Sequence, residues 1–225
     1  MGKATEKDWD KYWTKKKTKS QEMYRVIASF YRQFIIKRAL NYFIRNEFKK
    51  NATLLHAGSG SGQVDADIIS SFNITALDIS DEALEIYKSN YGERANPIKG
   101  DIFKLPMKKS SFDGIYNLGV HEHFTSEENE KILNEYARVL RSKGKIILFW
   151  PPKYGVTVIF LSSLHFILNK ILRFNIKLQP EEISLIKSKR EIEDLLKKTG
   201  FKMTKFYFGP KDLFTHVIVI ARKSA

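Results

Sequence analysis

Between residues 53 and 150 the chain alternates short β-like runs with helical ones, and the connections are brief. The β-like runs cover 53–56, 74–78, 96–99, 112–117 and 145–150. Strands separated by a helix return parallel to one another, so this alternation predicts an α/β fold: a doubly wound, mostly parallel sheet with helices on both faces. Local signals agree. Ser80 leads a helix with Glu82 and Ala83 in its first turn, and Thr125 or Ser126 caps another running to about Leu140, with Glu127 and Glu128 at its favourable end. Further helices are expected over 22–48, about 62–71 and about 189–199. The tail changes character. Runs 201–208 and 215–221 are separated by Gly209-Pro210-Lys211-Asp212, which leaves no room for a crossover helix. They should pair antiparallel, as a hairpin ending a seven-stranded sheet.

The stretch LLHAGSGSGQVD, Leu54 to Asp65, follows the first strand. Glycines between a strand and its helix let backbone approach a ligand closely. The dinucleotide fingerprint G-x-G-x-x-G/A would need Gly or Ala at 63; here that residue is Gln63, and the third glycine is Gly62. Three features lie downstream. Asp78 ends the second strand, where a carboxylate can accept both hydroxyls of a ribose. Asp101, in KGDIFKLP, is placed to accept from an adenine amino group while Ile102 packs on the ring. The run SFDGIYNLGVHEHF ends the fourth strand beside the same crevice.

With these residues in that order, the sequence resembles the class I S-adenosylmethionine-dependent methyltransferases over about 53–150, and again over 189–221. The resemblance implies a Rossmann-like sheet, S-adenosylmethionine as cofactor, and a set of roles. Gly58, Ser59, Gly60 and Gly62 would wrap the methionine and ribose; Asp78 and its neighbour Ile79 would hold the ribose. Asp101 and Ile102 would hold the adenine, with Asn117 and Leu118 beside the methionine end. ARVLRSKGKIILFWPP looks like the family's segment before the fifth strand, with Ser142-Lys143 in place of its usual Pro-Gly. His56 departs from the pattern, because the family usually places Glu or Asp there, close to the cofactor's amino end. A tolerated substitution, an altered cofactor affinity and a non-methylating relative are all open readings of it.

A sulfonium methyl is already electrophilic, so the protein has mainly to align the acceptor and exclude water. A general base is needed only when the acceptor must lose a proton. His121 and His123 are the candidates, with Glu122 between them; Glu122-His123 also resembles a pair common at this place in the family. A metal is not expected, since the two histidines lie at i, i+2 with no distant third ligand. His165 and His216 read as packing or surface residues, the latter inside a strand.

The length suits one domain. Residues 1–50 would form an N-terminal helical cover, 51–150 the cofactor-binding core, 153–188 a substrate-covering insert, and 189–225 a closing helix and hairpin. In the insert, Phe160, Leu161, Leu164, Leu168, Ile171 and Leu172 make a helical stripe too short and too interrupted to span a membrane. It reads either as a lid over the acceptor or as an interfacial helix. Trp9, Tyr12 and Trp13 either complete the cover over the cofactor or staple the first helix to the core.

The net charge of +14 brings anionic partners into question, but the lysines are spread along the chain and no zinc-finger, RRM or KH signature accompanies them. NLGV in place of an NPPY-type motif also argues against nucleic acid. The expected partner is a small-molecule or lipid-like acceptor, with peripheral contact to an anionic membrane as an open reading. There are no cysteines, which excludes disulfides and thiolate metal sites and fits a reducing compartment. The first thirteen residues hold no apolar run, so no secretory leader is expected and a cytoplasmic location is. Glu6 also breaks the myristoylation pattern. Alternative functions are a non-catalytic scaffold of the same fold at a membrane, an RNA or protein methyltransferase, and a nicotinamide oxidoreductase.

Overall fold

The computed structural model describes residues 6–13, 29–155 and 183–224. The stripe from Phe160 to Leu172, with His165, lies outside the described residues, as does part of the helix expected over 22–48.

Seven strands form one sheet in the order β3-β2-β1-β4-β5-β7-β6. They are β1 (Thr53–Ala57), β2 (Asn73–Asp78), β3 (Pro97–Lys99), β4 (Phe112–Leu118), β5 (Leu140–Trp150), β6 (Phe201–Tyr207) and β7 (Val217–Lys223). Strands β1 to β5 pair in parallel, and β7 inserts antiparallel between β5 and β6. The order reverses between β1 and β4. In an open sheet of this kind the ligand crevice lies at that reversal, beyond the carboxyl ends of the strands.

Both faces of the sheet are apolar, which is why the strands read as near-continuous hydrophobic runs. On one face Leu55, Ala57, Ile115, Ile146 and Leu148 meet α4 (Ser126–Val139) and α5 (Lys189–Lys198) through Ile132, Leu133, Tyr136, Ile192 and Leu196. On the other, Leu54, Ile74, Ala76, Ile147 and Phe149 meet α2 (Lys37–Glu47) through Leu40, Phe43 and Ile44. Each such aliphatic or aromatic side chain contributes about 1.5–3 kcal/mol when removed from water. Two helix starts follow the sequence signals. Ser80 accepts from Ala83 N at the head of α3 (Asp81–Tyr91), and Thr125 with Glu128 forms a reciprocal capping box at α4.

Three expectations differ. The helix over 62–71 is a 3-10 turn at Gln63–Asp65 followed by further turns, because Asp65 is turned inward to His56, Tyr87 and Tyr116 and the backbone follows it. Its Ile68 and Ile69 are nonetheless buried under the sheet. β5 begins directly after α4, at Leu140 rather than 145, with Lys143 at φ 62° and a register shift opposite Phe112–Gly114. His216 precedes β7 instead of lying within it, because its backbone N–H donates to Asp212 Oδ2 (2.7 Å) and so leaves the ladder.

Candidate functional site

The strand ends bring Gly58, Ser59, Gly60 and Gly62, Asp78 and Ile79, Asp101 and Ile102, and Asn117 and Leu118 to one edge of the sheet. The loop after β1 holds its three glycines in the left-handed region, at φ 72°, 52° and 68° for Gly58, Gly60 and Gly62. Gly58 N and Ser59 N both donate to Leu77 O, which ties the loop to β2. Gly60 N donates to Asp78 Oδ2 at 2.8 Å, and Ser80 N donates to Asp78 Oδ1 at 3.0 Å. Each carboxylate oxygen thus accepts a backbone N–H, and the Ile79 N–H adds a further backbone donor. Burial pushes the Asp78 carboxyl up from its usual range; the Ser80 and Gly60 N–H groups and the charge of His56 pull the other way.

Asp101 is exposed beyond β3, its Oδ1 accepting from Phe103 N (2.9 Å). The turn that carries it is held from behind by Arg138. That guanidinium bonds Glu135, donates to the carbonyls of Leu105 and Met107, and sits beside a Leu105 N–H bonded to Glu135 Oε2. Asn117 is fully buried; its amide donates to Tyr136 Oη (3.1 Å), and its Oδ1 meets no partner among the described residues.

His56 is buried and faces away from solvent. Its Nδ1 is 2.8 Å from Asp65 Oδ2, and its ring stacks on Tyr116 with centroids 4.4 Å apart. Asp65, wholly buried, also accepts from Tyr87 Oη (2.9 Å) and Tyr116 Oη (2.8 Å). Burial, reinforced by the neighbouring Asp65, drives both phenols far above their usual range, so they stay protonated and donate. Sequence reasoning missed Asp65, which looked like one more polar residue of a helix.

The two histidines after β4 are separated by the fold. His121 is fully buried, stacked on Trp150 (4.8 Å), with Nδ1 2.6 Å from Asn129 Oδ1. Burial lowers its pKa to about 4, against an opposing bond from Asn129, so it is neutral near pH 7. Its Nε2 has no partner among the described residues. His123 is nearer the surface, edge-on to Trp9 at 5.3 Å. Where the chain returns from 156–182, Ile183 N and Ser184 N donate to Glu122 O, and Trp150 Nε1 donates to Ser184 O.

Helix α1 (Glu6–Trp13) lies across these strand ends. Glu6 pairs with Lys99 at the end of β3, and Asp10 accepts from Ser80 Oγ (2.6 Å) just past β2. Trp13 rests on Gly60 after β1, and Trp9 reaches His123 after β4. One short helix thereby touches residues at four strand ends.

Residues 55–148 match the family model of a methyltransferase domain. Sequence relatives include an uncharacterized protein of Methanocaldococcus jannaschii, 30% identical over 124 residues that make up 55% of this chain and 52% of that protein. An uncharacterized methyltransferase of Schizosaccharomyces pombe is 31% identical over 112 residues, 48% of this chain and 43% of that one. The chain therefore spans about half the length of the curated relatives it matches. Among solved structures, a SAM-dependent methyltransferase from Methanosarcina mazei superposes with TM-score 0.63 at 18% identity, over 81% of this chain and 97% of that one. Magnesium protoporphyrin IX methyltransferase from Synechocystis, with bound SAH, gives TM-score 0.64 at 16% identity over 96% and 93%. The Burkholderia thailandensis 1,6-didemethyltoxoflavin-N1-methyltransferase, solved with its substrate and S-adenosylhomocysteine, gives 0.63 at 17% over 84% and 78%. At such identities the likeness is one of fold.

Proposed function

We propose that the chain is an S-adenosylmethionine-dependent methyltransferase acting on a small or amphiphilic acceptor. The observation that carries the reading is Asp78. Its carboxylate is buried at the mouth of a left-handed glycine loop, holds Gly60 N with one oxygen and Ser80 N with the other, and retains acceptor capacity for a ligand hydroxyl. Asp101 and Ile102 stand one strand further along for a base, and Asn117, Leu118 and His56 border the opposite end. The residues therefore fit an adenosyl ligand with a charged tail. Such a cofactor supplies a methyl group on positive sulfur, open to in-line displacement. The protein has then to align the acceptor and exclude water. Trp9, Tyr12 and Trp13 on α1 serve the second need. If the acceptor must lose a proton, His123 is the better placed base, since His121 is walled in by Trp150, Tyr136 and Asn129.

Calorimetry with S-adenosylhomocysteine and with NADH tests this assignment. Binding of the first and not the second supports it; tight NADH binding alone overturns it in favour of an oxidoreductase. Cofactor binding without turnover across a panel of phenols, amines and carboxylates would favour the non-catalytic scaffold.

A second reading concerns the acceptor's source. Leu213 and Phe214 are exposed, at 53% and 42%, although both are non-glycine residues held at φ 57° and 59°. A buried cluster braces them: Thr215 Oγ1 donates to Asp212, and the Tyr31 hydroxyl bonds Thr215. Tyr154 and Ile183, at the two ends of the segment 156–182, are also exposed. This apolar rim, with the net charge of +14, supports contact with an anionic membrane that delivers an amphiphilic acceptor. No helix among the described residues is long and apolar enough to cross a membrane. Co-sedimentation with anionic and neutral vesicles checks the idea: a L213S/F214S variant should lose the anionic-vesicle binding of the native chain, and a native chain that stays in the supernatant would reject it.

A further inference from the structure

His56 contacts one buried carboxylate and shares a face of the sheet with another. On one side Nδ1 contacts Asp65 Oδ2. On the other, β1 and β2 run parallel with His56 opposite Ala76, so Asp78, two residues on, projects from the same face of the sheet. Tyr116, opposite His56 on β4, covers the ring. All three groups are withdrawn from water, at 2%, 0% and 9% exposure for His56, Asp65 and Asp78. A carboxylate in that setting demands a compensating positive charge. Among the described residues, His56 is the one basic side chain within ion-pair distance of Asp65. The other groups around the three are neutral donors or acids: Tyr87 from α3, Tyr116 from β4, the backbone N–H groups of Gly60 and Ser80, and Asp10 of α1 beyond the Ser80 hydroxyl.

We infer that His56 is a positioning residue: an imidazolium anchored on Asp65 that serves as counter-charge to Asp78 and keeps it ionised, hence able to accept the ribose hydroxyls of the cofactor. The inference rests on the cofactor reading above and assigns to this chain a regulation of that site. Its logic is an alternation of charge, Asp65 negative, His56 positive, Asp78 negative, beneath the glycine loop. Removing the middle charge leaves Asp78 buried without compensation, and a carboxyl in that state takes up a proton. A protonated Asp78 loses a lone pair and becomes a donor, competing with the ligand's hydroxyl protons.

The test is S-adenosylhomocysteine affinity, by calorimetry on the full chain, at pH 6 and pH 8. The native chain should change less than about threefold between them. His56→Gln should bind at least about tenfold more weakly at pH 6 and regain most of that loss at pH 8, where Asp78 ionises unaided. Asp65→Asn keeps the bond to Nδ1 but removes the anchoring charge, and should shift affinity in the same pH-dependent sense. Tyr116→Phe, which removes one donor and no charge, should stay within threefold of native. Native-like binding by His56→Gln at pH 6, or a deficit equal at both pH values, overturns the inference and leaves the cofactor reading standing. If His56→Gln fails to fold by circular dichroism, Asp65→Asn decides by the same criterion. A native chain that binds no S-adenosylhomocysteine at either pH overturns the cofactor reading, and this inference with it.

Discussion

The indole of Trp13 rests on Gly60, so closely that a β-carbon on that residue would stand 2.6 Å from the ring. Forty-seven positions of sequence separate them, yet the contact decides where α1 sits over the crevice. Gly60→Ala brings both a collision with the ring and a side chain at φ 52°, a backbone setting that costs about 1–2 kcal/mol for an L-residue. The expected outcome is displacement of α1, seen as a red shift in tryptophan emission, with S-adenosylhomocysteine affinity reduced at least about tenfold. Unchanged emission and affinity would show that the contact is incidental.

Asp78→Asn preserves size while removing the charge that two backbone N–H groups and the proposed diol share. Hydrogen bonds to a charged acceptor are worth about 1.5–3 kcal/mol, so affinity should fall roughly ten- to a hundredfold. Isothermal titration measures it directly, and a melt on the same sample separates lost binding from lost fold.

His121 makes the fold sensitive to acid. Its pKa is lowered from 6.5 to about 4 by burial, so between those values the unfolded chain holds the extra proton. Stability therefore rises with pH through this window, and the His121 contribution is lost as pH falls from about 6.5 toward 4, about 3 kcal/mol in all. Chemical denaturation at pH 4.5 and 7 should show that dependence in the native chain and a shallower one in His121→Gln.

Glutamate at position 56 would set a second carboxylate against Asp65, where His56 now pairs at 2.8 Å. His56→Glu alone should lose about 3 kcal/mol of stability, in the range for a buried charge left without its partner. Adding Asp65→Asn relieves the repulsion, so the double variant should melt above the single one. A single variant as stable as the native chain would overturn this expectation.

Much of the architecture was legible because it depends on local chemistry. The caps at Ser80 and Thr125, the stop at Pro151 and the apolar runs of the five parallel strands all act within a few residues. The hairpin followed from the short gap over 209–214, which excludes a crossover. The glycine loop, Asp78 and Asp101 were legible as a candidate site because strand ends converge in any sheet of this topology. The helix expected over 62–71 was misjudged where tertiary packing outweighed pattern. Val64, Ile68 and Ile69 repeat at helical spacing, but Asp65 is turned inward to His56, Tyr87 and Tyr116 and the backbone follows it.

By itself the sequence determined the α/β sheet and the antiparallel pair that ends it, and pointed to the strand-end edge as the candidate site, since periodicity, caps and chain connectivity are properties of neighbours along the chain. Only the tertiary structure decided what His56 touches, that His121 is sealed while His123 is not, and that α1 spans four strand ends. Those outcomes depend on burial and on partners tens of residues away. A charge or a ring acquires its role from the dielectric and the neighbours that folding supplies.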